Sequence, residues 1–89
     1  MEPLEREVFE FPTLIGLKVI GRNKDNFEAF VVDVFRTQVT EEDIHQVESR
    51  LSKGDTYLSV TVTFLALSRE HLDAIYHELG LHPRVMMVL

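Results

Sequence analysis

Apolar and polar residues alternate along residues 56–66 of this chain. A period of two is typical of a strand that buries one face and offers the other to water. Such a strand belongs to an antiparallel sheet with helices on one face, because strands of parallel sheets are apolar on both faces. The side predicted to be buried comprises Leu58, Val60, Val62, Phe64 and Ala66, and the side predicted to be open comprises Tyr57, Ser59, Thr61 and Thr63.

Two further elements precede this strand. Residues 14–20 read as a first strand with Ile15, Leu17 and Val19 towards the core. A helix follows, capped by Asn23 or Asp25. Its apolar residues recur at helical spacing: Phe27, Phe30, Val31, Val34 and Phe35. If Phe30 is central to the core, Phe30→Ala should cost about 3 to 5 kcal/mol.

A second strand over residues 44–51 is predicted to point Val47 and Leu51 inward. Residues 52–55 contain Gly54 and form a turn signal, which would close a hairpin onto residues 56–66. Ser68 is a favourable cap for a second helix, and Gly80 would end it. The apolar stripe of that helix comprises Leu72, Ile75, Tyr76 and Leu79. Residues 84–89 then form a last strand that is apolar on both faces.

The order strand, helix, strand, strand, helix, strand is that of the ferredoxin-like fold, with the sheet in the order 4-1-3-2. The predicted class is therefore α+β, a two-layer sandwich with both helices on one face. The chain has 89 residues, which is enough for one domain. We expect residues 14–89 to form it and residues 1–13 to be an irregular acidic lead-in.

Composition excludes several functions. The chain has no cysteine, so disulfides, thiolate metal sites and thiol nucleophiles are excluded. Its net charge of −6 opposes binding to nucleic acid and to anionic membranes. The acidic N-terminus is unlike a secretory signal, which favours a cytoplasmic location. We expect no metal and no cofactor, because the histidines, which read as surface residues, lack ligand spacing: His45, His71, His77 and His82.

Several short segments together resemble the YbeD-like family of small bacterial proteins of unknown function. They are residues 10–13 (EFPT), 18–21 (KVIG), 52–60 (SKGDTYLSV), 76–80 (YHELG) and 85–89 (VMMVL). The resemblance implies an ACT-like ferredoxin fold and no assigned reaction. By analogy with ACT domains, it implies a non-enzymatic regulatory or protein-interaction module.

The candidate ligand site is Gly21, Arg22 and Asn23, between the first strand and the first helix. Exposed amides and a guanidinium there would hold a small anion; the simpler interpretation is a turn with solvated side chains. The segment is also similar to the phosphate loop of acylphosphatases, so a small hydrolase acting on acyl phosphate or phosphate ester is the alternative. This chain has no second arginine at the helix start, and Asp25 adds an acid.

The candidate interaction patch is Ile20, Met86 and Val88, predicted to lie together on the open face of the sheet. An exposed apolar surface usually has a partner or a cover. Two interpretations stay open, a weak homodimer or a monomer. In the first, a second subunit covers the patch or extends the edge strand 84–89; in the second, the lead-in folds across the patch and places Phe9 and Phe11 on Met86 and Val88.

Overall fold

The computed structural model describes residues 10–89 as a four-stranded antiparallel sheet with two helices on one face. The strand order, β2-β3-β1-β4, confirms the predicted ferredoxin-like arrangement. The elements are β1 (Thr13–Arg22), α1 (Phe27–Arg36), β2 (Ile44–Leu51), β3 (Tyr57–Ala66), α2 (Arg69–Gly80) and β4 (Met87–Val88).

The two central strands pair along their whole length, from Thr13 opposite Ala66 to Arg22 opposite Tyr57. Their alternating side chains form the core, because one set faces the helices and the other faces outward. β1 is longer than predicted at both ends, so Thr13 belongs to the sheet and not to the lead-in. The buried core comprises Leu17, Val19, Phe27, Val31, Val34, Phe35, Val39, Val60, Val62, Phe64, Ala66, Leu72, Ile75 and Leu79.

The helix caps agree with prediction in one case and differ in the other. Ser68 caps α2, since its Oγ accepts a hydrogen bond from the backbone N–H of His71 at 3.0 Å. Asn26 caps α1 in place of the predicted Asn23 or Asp25, and its Oδ1 accepts from the N–H of Ala29 at 3.4 Å. Asp25 and Asn26 both have positive φ, so neither is helical and α1 begins only at Phe27.

Three residues predicted to be central lie at the margin of the core. Leu51 is 48% exposed and Tyr76 is 42% exposed. Phe30 is half-buried, with its ring edge-on to His82 at 5.2 Å between centroids. The expected cost of Phe30→Ala is therefore too large, because the truncation would remove only partly buried area.

The β2–β3 hairpin forms as predicted. The N–H of Ser52 donates to the carbonyl of Tyr57 at 2.9 Å, and Gly54 and Asp55 have positive φ in the turn. At the other end of β2 the register shifts between Ile44 and Gln46, which marks a β-bulge.

β4 is shorter than the predicted strand 84–89, but flanking residues extend its contacts with β1. The N–H of Met86 donates to the carbonyl of Ile20 at 2.8 Å. Lys18 and Leu89 exchange two backbone hydrogen bonds, of 3.1 and 2.8 Å. The C-terminal residues are therefore fixed beside the second half of β1.

Candidate functional site

Gly21 serves packing. It is buried on the helix side of β1, and a Cβ added there would lie 2.4 Å from the ring of Phe27 and 2.6 Å from the carbonyl oxygen of Arg84. No real Cβ tolerates such contacts, so only glycine lets α1 and the segment before β4 approach β1. The space over Gly21 is filled by protein atoms.

Asn23 and Arg22 point to different neighbours. The backbone N–H of Asn23 donates to Thr56 O at 2.9 Å, and its side-chain amide donates to Asp55 O at 3.1 Å. Arg22 lies on the open face with its guanidinium 5.8 Å from the centre of the Tyr57 ring. The structure therefore does not bring Gly21, Arg22 and Asn23 around one ligand.

The N-terminus of α1 is not arranged for an anion. Asn26 occupies the cap, and Glu28 in the first turn already places a negative charge near the helix dipole. The carboxylate of Glu28 also accepts a hydrogen bond from the Ser49 hydroxyl. The acylphosphatase-like alternative gains no support from this geometry, since its phosphate would have to bind here.

Three cationic residues instead line a depression next to the loop between β1 and α1, which we call the basic corner. It has a volume of about 380 Å³ and is lined by Arg22, Lys24, Pro83, Arg84 and Met86. Arg84 donates to the carbonyl of Lys24, and its guanidinium lies 4.8 Å from the centre of the Phe30 ring and 5.5 Å from that of Phe27. The basic corner thus joins the end of β1 to the segment that precedes β4.

The predicted patch of Ile20, Met86 and Val88 is wrong in one member. Val88 lies opposite Val19 and packs against the core, whereas Met87 lies opposite Ile20. Met86 and Met87 are 55% and 52% exposed. We therefore define the methionine patch as the exposed Met86 and Met87 together with Ile20, which lies opposite Met87; Met86 also lines the basic corner.

The predicted cover of this patch by Phe11 is also wrong. Phe11 precedes the first residue of β1 and packs against the core there. Met86 is hydrogen-bonded to Ile20, near the opposite end of β1. At about 3.3 Å per residue, Ile20 is more than 20 Å from Phe11. Phe9 and Val8 lie outside the described residues.

His71 has a structural role that its sequence position does not reveal. Its Nδ1 accepts from the N–H of Leu67 at 3.0 Å, and its Nε2 lies 2.7 Å from the carbonyl oxygen of Gln38. The ring therefore joins the start of α2 to the loop after α1. Among residues 10–89, no three histidine, aspartate or glutamate side chains are grouped as a metal site would require. In the same range, no helix has the length and hydropathy needed to cross a membrane.

Comparison with known proteins gives consistent matches over the whole chain. A family model described as "Protein of unknown function (DUF493)" matches residues 6–89. A "UPF0250 protein" of Paraburkholderia phymatum is 40% identical over 89 residues, covering 100% of both chains. Another of Chromobacterium violaceum is 38% identical, again over 100% of both chains.

Two solved structures share the fold at lower identity. Protein HP0495 from H. pylori superposes with a TM-score of 0.74 at 17% identity, covering 100% of this chain and 96% of that one. The C-terminal domain of the MgtC protein from Mycobacterium tuberculosis gives a TM-score of 0.62 at 19% identity, covering 92% and 89%. Both matches support the fold alone.

Proposed function

The chain belongs to the DUF493 family of proteins of unknown function, as its YbeD-like resemblance predicted, and from this premise we propose that it is a non-enzymatic, ACT-like regulatory and protein-interaction module. Its basic corner binds a carboxylate or phosphate group. That group belongs either to a small molecule or to the acidic side chains of a protein partner in the cytoplasm. The observation that carries the proposal is that three cationic residues, Arg22, Lys24 and Arg84, line one depression of an acidic protein.

Charge separation supports an anionic ligand. The chain carries a net charge of −6, yet among residues 10–89 no acidic side chain lines the basic corner. The helices carry much of the negative charge: Glu28, Asp33, Glu70, Asp73 and Glu78. A local concentration of one sign on a surface of the other sign attracts and orients a charged ligand.

Both arginines contact aromatic rings before any ligand arrives. The Arg22 guanidinium lies over the Tyr57 ring, and that of Arg84 lies over the rings of Phe27 and Phe30. A planar guanidinium fixed on an aromatic ring loses less conformational entropy when it binds a carboxylate or phosphate. This arrangement favours recognition of an oxyanion over general attraction of counterions.

The methionine patch supports a role in protein interaction. Methionine side chains adapt to different apolar surfaces, and exposed apolar surface beside charged residues is typical of interaction sites. A partner segment with an acidic residue next to an apolar one would contact Arg22 and Met87 together.

The residues of the basic corner favour binding without chemistry. Arg22, Lys24, Pro83, Arg84 and Met86 include no hydroxyl, imidazole or carboxylate to act as nucleophile or general base. Turnover of an acyl phosphate would require such a group or a positioned water within reach of the bound phosphate.

The test is isothermal titration calorimetry of the full chain at low salt with three probes: inorganic phosphate, citrate and a short peptide of alternating glutamate and leucine. The variants are Arg22→Gln and Arg36→Gln, which change net charge equally. Arg36 pairs with Asp33 and Glu41 near the end of α1, so it is the matched control.

We expect saturable binding of at least one probe, with affinity about tenfold lower in Arg22→Gln and unchanged in Arg36→Gln. Citrate or phosphate binding without peptide binding would identify a small-molecule site, and the reverse would identify a protein partner. Equal losses in both variants would show only general electrostatics and would overturn the proposal. If the chain hydrolyses benzoyl phosphate and Arg22→Gln abolishes this activity, the small acyl-phosphate hydrolase replaces the proposed binding module.

A further inference from the structure

The outer edge of β2 has unpaired backbone groups. Within residues 10–89, β2 pairs only with β3. Ser52 is hydrogen-bonded to Tyr57 across the hairpin, and bonded pairs alternate along an antiparallel ladder. Glu48 and Arg50 therefore direct their backbone groups to β3, whereas Val47, Ser49 and Leu51 direct theirs outward.

The side chains of this edge carry opposite charges two residues apart. Glu48 and Arg50 lie on the open face, opposite Thr61 and Ser59 of β3. Val47 and Leu51 lie on the helix face, opposite Val62 and Leu58. Natural edges often carry charges of one sign, which repel another copy. This edge carries one charge of each sign.

A second copy matches this edge when the two β2 strands pair antiparallel about a twofold axis at Ser49. Ser49 then faces Ser49, and their outward backbone groups bond to each other. Glu48 faces Arg50 of the second copy on the open face, twice by symmetry. Val47 faces Leu51 of the second copy on the helix face, also twice.

The charges select this register over its neighbours. An axis at Glu48 would place two glutamates side by side, and an axis at Arg50 would place two arginines side by side. Cross-strand pairs of opposite charge stabilise a sheet, and like charges directly opposite each other destabilise it. Only the axis at Ser49 among these three gives two attractive pairs.

We propose that residues Val47 to Leu51 of β2 form a homodimer interface, with the two sheets joined into one of eight strands. The pairing covers Leu51, which is 48% exposed in the single chain although it faces the helix side. It uses an edge distinct from the basic corner, so it stands or falls independently of the proposed function.

The dimer should be weak and concentration-dependent, since one pair of short strands buries less than the roughly 1,200 Å² typical of stable complexes. Sedimentation equilibrium of the full chain measures it, from micromolar to near-millimolar concentrations at low salt. The variants are Glu48→Arg, Arg50→Glu and the double exchange Glu48→Arg/Arg50→Glu. Both positions are exposed, so circular dichroism should show unchanged folding.

Each single variant places like charges opposite each other in the homodimer, and we expect its dimer affinity to fall at least tenfold. The double exchange restores opposite pairs and should return affinity to within about threefold of the original. An equimolar mixture of the two single variants should form a heterodimer, because the chain with Arg50→Glu then presents two glutamates to the two arginines of the chain with Glu48→Arg.

The proposal is overturned if the original chain remains monomeric at the highest concentration. It is also overturned if the single variants dimerise as strongly as the original, or if neither the double exchange nor the mixture recovers association. Recovery in both separates the proposed register from a general effect of net charge, since the double exchange leaves net charge unchanged.

Discussion

The two edges of the sheet differ in the charges that they expose to solvent. At the β2 edge, Glu48 and Arg50 place both signs of charge within three residues, the pattern that we propose fits another copy of this edge. Beside β4, Arg22, Lys24 and Arg84 place one sign of charge around one depression, the pattern that we propose fits an anion. The sign pattern along an edge thus favours one kind of partner over another.

The edges also differ in their support. Beneath the β4 side, Phe27 is fully buried and contacts the position over Gly21. At the β2 edge, Leu51 is half-exposed. We expect the basic corner to depend on core packing and the β2 edge to depend on its surface charges.

The largest effect should come from truncating Phe27. Phe27→Ala removes a buried ring and should lower the free energy of unfolding by about 3 to 5 kcal/mol, measured in urea. Leu51→Ala, the matched truncation at the β2 edge, should cost about 1 kcal/mol or less, and Phe30→Ala should lie between. Equal losses of unfolding free energy in Phe27→Ala and Leu51→Ala would show that the two edges do not differ in core packing.

A methyl group at Gly21 should have the next largest effect. Gly21→Ala forces Phe27 or the Arg84 carbonyl to move, and we expect a loss of about 2 to 3 kcal/mol by thermal or urea unfolding. Gly16→Ala is the control on the same strand, because its Cβ would lie 3.5 Å from Thr63 Oγ1, an ordinary contact. Its effect should be within about 0.5 kcal/mol. A Gly21→Ala protein as stable as the Gly16→Ala protein would contradict the packing described.

The two arginines, one at each edge, should separate the two kinds of binding. Arg84→Gln removes the cation–π contacts with Phe27 and Phe30 and one charge of the basic corner, so we expect about 1 kcal/mol less stability and several-fold weaker citrate or peptide binding. Its dimer affinity should not change. Arg50→Gln should do the reverse, weakening the dimer several-fold and leaving anion binding intact. Calorimetry and sedimentation of both variants test this. A variant that weakens both anion binding and dimerisation would show that the two edges are not independent.

The smallest effect concerns Glu28, which lies beside Ser49 at the proposed twofold axis. Two copies would bring two Glu28 carboxylates close to the axis on the same face of the joined sheet, the helix face. Glu28→Gln keeps an oxygen acceptor for the Ser49 hydroxyl and removes the repulsion, so dimer affinity should rise about two- to threefold in sedimentation. A fall in affinity would place the axis elsewhere.

Much of the fold was predictable because most of its strands and helices have one apolar and one polar face. The alternation along β3 and the Ser68 cap were confirmed, as were the apolar stripes of α1 and α2 except at Phe30 and Tyr76. The register of β4 was not predictable, since residues 85–89 are apolar at every position and a shift of one residue leaves the pattern unchanged. Val88 and Met87 exchanged faces for that reason. Asn26 was missed because two residues of positive φ precede α1.

The candidate site was predicted only in part. Arg22 was identified from its place before α1, and Lys24 follows two residues later, but Arg84 joins them only through the pairing of β1 with the C-terminal segment. Such a contact spans 60 residues and leaves no local signal. Gly21 and Asn23 were read as ligand positions, whereas the structure uses them for packing and for the bond to the hairpin.

The most direct test of the central claim is one set of backbone amide spectra of the ¹⁵N-labelled full chain. Spectra are recorded on dilution and then, at the lowest protein concentration, on titration with citrate and the acidic peptide. The two-edge account predicts that dilution shifts amides of residues 47–51, whereas the anions shift those of residues 22–24 and 84–87. Shifts of one common set of amides in both series, or none at either edge, would contradict it.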